Sequence, residues 1–108
     1  MSADEQTHHN SNNVENDGVS IGAASSMTFH MGVGTDTATD RYLNIPSGVS
    51  YGISMINTVA CSITQINSRV LKTPMSVGTG GWNDPNLKVT NFTVTAGSAT
   101  VVEVEAKW

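Results

Sequence analysis

Residues 87–108 read LKVTNFTVTAGSATVVEVEAKW. Phe92 and Val94 fall on one side of an alternating run. Val102, Val104, Ala106 and Trp108 fall on one side of a second, with Glu103, Glu105 and Lys107 opposite. A period of two marks a half-buried strand, and the Ala96-Gly97-Ser98 turn between the two runs predicts a β-hairpin. The pattern leaves no room for a helix at this end of the chain.

The same alternation recurs upstream, at Met27, Phe29 and Met31 and again at Val49, Tyr51, Ile53 and Met55. Val59 to Ile66 forms a further run, and Asn67-Ser68 reads as a hairpin tip before Arg69-Val70-Leu71. Thr73 to Val77 reads as an edge strand, because Pro74 lacks the amide that a central ladder requires. Turns are predicted at residues 32–37 and at Pro46-Ser47-Gly48, and residues 78–86 read as a glycine-rich loop carrying an exposed Trp82. Sustained 3.6-residue apolar periodicity is absent. Together these signals predict an all-β fold, a small antiparallel β-sandwich of immunoglobulin-like or jelly-roll-like type, over residues 26–108. Its expected core contains Tyr51, Ile53, Met55, Ile63, Phe92, Val94, Val102 and Val104.

Residues 1–25 have a different composition. Between Ser2 and Gly18 the sole aliphatic residue beyond alanine is Val14, among many Asn, Asp and Glu. Such a segment buries too little apolar surface to offset its ordering entropy, so it reads as an extended polar arm that lies on a neighbouring molecule. Val14, Val19 and Ile21 are its candidate partner contacts. Trp82 is the candidate contact on the domain itself, since a large aromatic in a glycine-rich loop suits an interface hot spot.

Composition narrows the chemistry. The 108 residues suit one domain, with 38% hydrophobic residues for one modest core. Charged residues make up 13%, about half the usual share, and the net charge is −4. Arg41, Arg69, Lys72, Lys88 and Lys107 are scattered, which argues against a nucleic-acid surface. Cys61 is the only cysteine and lies in an apolar run, so it reads as a buried, inert thiol. The N-terminus carries neither the basic nor the apolar region of a cleaved leader, and the apolar runs are too short for a spanning helix. A soluble protein that does not associate with membranes is expected.

Active-site patterns find little support. His8, His9 and His30 lack zinc-type spacing, and no Gly-x-Ser-x-Gly elbow occurs. Gly78-x-Gly80-Gly81 resembles a phosphate loop but has no following lysine, and Trp82-Asn83-Asp84-Pro85 stands where a helix would have to begin. Asp36, Asp40 and Asp84 read as turn residues, without EF-hand spacing. The expectation is a protein that is not an enzyme, with no catalytic residue, cofactor or metal.

The Asn44-Ile45-Pro46-Ser47-Gly48 opening, the apolar strands meeting at Asn57-Thr58 and the closing run from Thr95 to Val104 resemble the small β-sandwich virion proteins of tailed bacteriophages, above all head decoration and adaptor-like proteins. The resemblance covers about two thirds of the chain and rests on strand and turn pattern. It implies a non-enzymatic capsid decoration protein, made in the host cytoplasm and present in repeated copies or as a homo-oligomer on the capsid surface, with the major capsid protein or another virion component as partner. A tail or neck component is the alternative within that class. A carbohydrate-binding or adhesin module using Trp82 is the alternative outside it.

Overall fold

The computed structural model describes residues 13–108. They fold into nine strands, β1 (Val14–Ile21), β2 (Ser25–His30), β3 (Asp40–Tyr42), β4 (Ser50–Asn57), β5 (Cys61–Ile66), β6 (Arg69–Val77), β7 (Trp82–Val89), β8 (Asn91–Ala96) and β9 (Thr100–Lys107), with no helix among the described residues. One sheet has the order β1-β9-β4-β7, and the second has the order β3-β2-β8-β5-β6. All pairings are antiparallel except β2 with β3, which is parallel. The fold is the expected all-β sandwich.

Between the sheets lies one apolar cluster. Phe29, Met31, Ile45, Ile63, Val89, Phe92, Val94, Val102, Val104 and Ala106 are each fully buried in it. Phe29 and Phe92 stack with centroids 5.2 Å apart, and the Trp82 ring meets Phe92 edge-on at 5.7 Å. Each such large side chain contributes about 1.5–3 kcal/mol by leaving water. The stacked pair therefore anchors β2 to β8 in the middle of the five-stranded sheet.

Four expectations need correction. The first is the C-terminal hairpin, because β8 pairs with β2 and β5 while β9 pairs with β1 and β4. Residues 97–99 thus cross from one sheet to the other, and the apolar faces of β8 and β9 meet across the core instead of lying side by side. Period-two alternation is identical in the two arrangements; the turn distinguishes them. A tight two-residue hairpin requires positive φ at both central residues in type I′ and at the first in type II′. Asn67 and Ser68 have it, at 53° and 65°, and join the true hairpin of β5 and β6, whereas Gly97 is not among the positive-φ glycines.

The second correction concerns the arm. Residues 1–12 lie outside the described residues, but Val14–Ile21 is an edge strand of the home domain, paired with β9 from Val14 opposite Lys107 to Ile21 opposite Thr100. The domain therefore begins well before residue 26. A polar sequence can do this because an edge strand is held by main-chain bonds along one side and needs to bury little. Here Ile21 is buried and Val19 packs against the core.

Third, Tyr51 is half-buried, unlike the other seven expected core residues. A bulge between Tyr51 and Ile53 shifts the register on β7, with Gly52 at φ 94° between them. The alternation changes phase at that point: Ser50 faces inward, Tyr51 turns outward beneath the Lys88 ammonium, and Ile53 returns to the core. Fourth, the glycine-rich loop is shorter than expected. Residues 78–81 form the turn, and Trp82 opens β7 with its ring half-buried. Gly81 is required there, since at φ 123° a Cβ would run into the Met55 carbonyl oxygen.

Candidate interaction surfaces

At one side of the sandwich, β1 of the four-stranded sheet lies beside β2 and β3 of the other. Arg41 on β3 spans this gap. Its Nε donates to Asp17 Oδ2 at 3.0 Å and one terminal nitrogen donates to Asp17 Oδ1 at 2.6 Å, a bidentate pair. The second terminal nitrogen is 3.5 Å from Asp36 Oδ2, while Asp36 Oδ1 accepts the Tyr42 amide at 2.7 Å. Bonding to Asp17 raises the guanidinium pKa above its ordinary value. The group is a clasp between two sheet edges, built from a carboxylate on β1 and a loop carboxylate.

Next to the clasp, Asp40 organises the loop that leads into β3. Its carboxylate accepts from His30 Nε2 at 2.8 Å, from Thr39 Oγ1 at 3.0 Å and from Thr37 Oγ1 at 3.1 Å. These bonds, the His30 bond foremost, hold the Asp40 pKa below the ordinary carboxylate value. The His30 ring lies flat on Tyr42, with centroids 4.4 Å apart. Among the described residues Asp40 is the side-chain hydrogen-bond partner of His30, and the pair orders the loop that leads into β3.

The middle of the outer face of the five-stranded sheet is built of hydroxyl and amide side chains. Ser76, Ser62, Thr95 and Ser26 stand opposite one another across four strands, and Gln65, Thr93 and Thr28 form the next row. Neighbouring hydroxyls bond across strands, Ser26 to Thr95 and Thr28 to Thr93 at 2.8 Å and Thr64 to Thr95 at 3.1 Å. These seven side chains include no ionised group; the second row ends on Asp40 of β3 at one side and on the exposed Val70 of β6 at the other. The outer face of the other sheet, by contrast, carries Glu103 and Glu105 along β9.

The sequence-derived contact residues are dispersed. Val14 is on the surface at 48% exposure, whereas Ile21 is 2% exposed and Val19 leans on the core, so two of the three arm positions are engaged in their own domain. Trp82 is packed edge-on to Phe92 and does not stand free in a loop. Arg41, Asp17, Asp36, His30 and Asp40 were not singled out as a group. Their sequence positions follow no spacing rule, and only the strand pairing brings them together.

At the loop end of the sandwich an open depression is lined by Cys61, Ser62, Ser76, Val77 and Gly97. Burial raises the Cys61 pKa, which disfavours the reactive thiolate. Close by, the fully buried Asn57 donates from Nδ2 to the Val59 and Gly78 carbonyls, and its Oδ1 has no partner among the described residues. The described residues contain no cluster of three metal-ligating side chains and no helix long and apolar enough to cross a membrane; His8 and His9 lie outside them. Comparison with protein-family models, curated proteins and solved structures finds no match to this chain.

Proposed function

We propose that the protein is a non-enzymatic virion component of a tailed bacteriophage, a decoration protein that binds the major capsid protein and stabilises the shell. The observation that carries this reading is the middle of the outer face of the five-stranded sheet, where two rows of Ser, Thr and Gln side chains, partly interlocked by hydroxyl bonds, form a surface without an ionised group between Val70 on β6 and Asp40 on β3. Covering this central part of the face strands no charge, which is the main cost of burying polar surface. The hydroxyls of Ser26, Thr28, Thr64, Thr93 and Thr95 are already paired with one another and lose little on losing water. The strand and turn pattern resembling phage sandwiches supports the same assignment, with a tail or neck position as the variant within the class.

The sugar-binding alternative depends on a free Trp82 ring as a stacking platform. With that ring half-buried against Phe92, the platform is reduced. The test is re-addition of purified protein to particles lacking it, followed by heat or osmotic challenge. Restored resistance supports the proposal. Failure to bind any particle, together with retention on a glycan array that Trp82→Ala abolishes, transfers the assignment to a carbohydrate-binding module.

A further inference from the structure

Four strands form the edges of the two sheets: β1, β7, β3 and β6. Three are blunted. β6 carries Pro74 and Lys72, β7 carries Pro85 and Lys88, and β3 is three residues long. β1 runs for eight residues without proline, lysine or arginine.

The direction of its free main-chain groups follows from the pairing. Asn13 and Trp108 exchange two bonds of 3.1 Å, so Asn13 directs its N–H and C=O at the neighbouring strand. Alternation then directs those of Glu15, Asp17, Val19 and Ile21 at β9, and those of Val14, Asn16, Gly18 and Ser20 away from it. The 3.4 Å bond from Arg41 to the Gly18 carbonyl agrees, because it arrives from the side away from β9. Among the described residues, that carbonyl is the sole outward main-chain group of these four with a hydrogen-bond partner.

We propose that this edge pairs antiparallel with the same edge of a second copy, about a two-fold axis at Gly18. In that register Gly18 faces Gly18 and Asn16 faces Ser20, so outward groups meet outward groups. On the other face Asp17 meets Val19 and Glu15 meets Ile21, and no like charges stand opposite each other. Sliding by one pair in one direction sets Asp17 against Asp17, which disfavours that alternative. The glycine at the axis keeps side chains away from the crossing point. The Arg41 guanidinium withdraws from Gly18 and keeps its two bonds to Asp17. The result is one continuous sheet through two copies, an isologous interface. It does not rest on the virion reading, since a dimer in solution stands whether or not the protein binds a capsid.

The test uses the full chain, by sedimentation equilibrium and by amide hydrogen exchange at low and high concentration. A reversible dimer is expected, with the Val14, Asn16, Gly18 and Ser20 amides gaining protection as concentration rises. Glu15, Asp17 and Val19, bonded to β9, stay protected throughout. Gly18→Lys sets two lysines across the axis and weakens the dimer at least about tenfold; within the subunit a Cβ there meets only the Val102 carbonyl oxygen, at 3.9 Å. A chain that remains monomeric up to about 1 mM overturns the proposal, as does a dimer indifferent to Gly18→Lys or one without new protection at the four outward amides. Should Gly18→Lys fail to fold, the exchange pattern of the unaltered chain decides.

Discussion

The Arg41 guanidinium on β3 grips the Asp17 carboxylate on β1 through two bonds, of 2.6 and 3.0 Å, and so ties the edge of one sheet to the edge of the other. Both side chains are largely shielded, at 26% and 17% exposure. The pair therefore contributes more than an open surface ion pair. Asp17→Ala is expected to lower stability by about 1–2 kcal/mol, between the values for exposed pairs and for sheltered charge-assisted bonds. A double-mutant cycle with Arg41→Ala, read from chemical denaturation, checks this. The second substitution should cost markedly less once the first is made.

Trp82 provides a test of packing against surface display. Its edge-on contact with Phe92 predicts that Trp82→Ala lowers stability by about 2–4 kcal/mol, toward the lower end for losing a large aromatic from a core. A free loop residue would change the melting temperature little. Thermal melts of the two proteins distinguish the cases.

The glycines separate into required and replaceable positions. At Gly81, with φ 123° and the Met55 carbonyl in the way of a Cβ, alanine forces the backbone to move and should cost more than about 2 kcal/mol. At Gly97 nothing lies within 4 Å of a Cβ and φ is not positive, so alanine there should fall within about 0.5 kcal/mol of the native chain. Denaturation of the two variants side by side measures the contrast.

Acid should loosen the loop before β3. The folded chain holds the Asp40 pKa below 3.8, so under acid conditions the unfolded chain binds a proton that the folded one refuses. Stability from this group is present above pH 3.8 and is lost as pH falls through the depressed folded value. Asp40→Asn should be less stable than the native protein at neutral pH, and the difference should shrink below about pH 4. Melting temperatures across that range read the effect, and a gap that widens with acid contradicts it.

The strand positions were legible because burial on one face imposes a period of two, and seven of the eight expected core residues are buried. Tyr51 departed from the pattern because a bulge that sets Gly52 against residues 85–87 of β7 reverses the phase, and the sequence signal for it on β4 is Gly52. Sheet membership was not legible. The run through Phe92 and Val94 and the run through Val102 and Val104 would look alike in a hairpin or in a crossing between sheets. The absence of any left-handed residue at the turn separates the two, as the Asn67-Ser68 tip shows by contrast. Strand β1 was hidden for another reason. An edge strand is selected by main-chain pairing with β9, which leaves almost no hydrophobic trace. The clasp built on Asp17, Arg41 and Asp36 depends on that pairing, so it was hidden with the strand.

The proposal of a shell-binding protein is tested most directly by co-sedimentation of the purified chain with capsids of the tailed phage proposed to carry it, titrated to saturation. The account predicts saturable binding at a fixed ratio to the major capsid protein, weakened when charges are placed on the hydroxyl face by Thr95→Lys or Ser62→Glu. Absence of the chain from the capsid pellet at every concentration would contradict it.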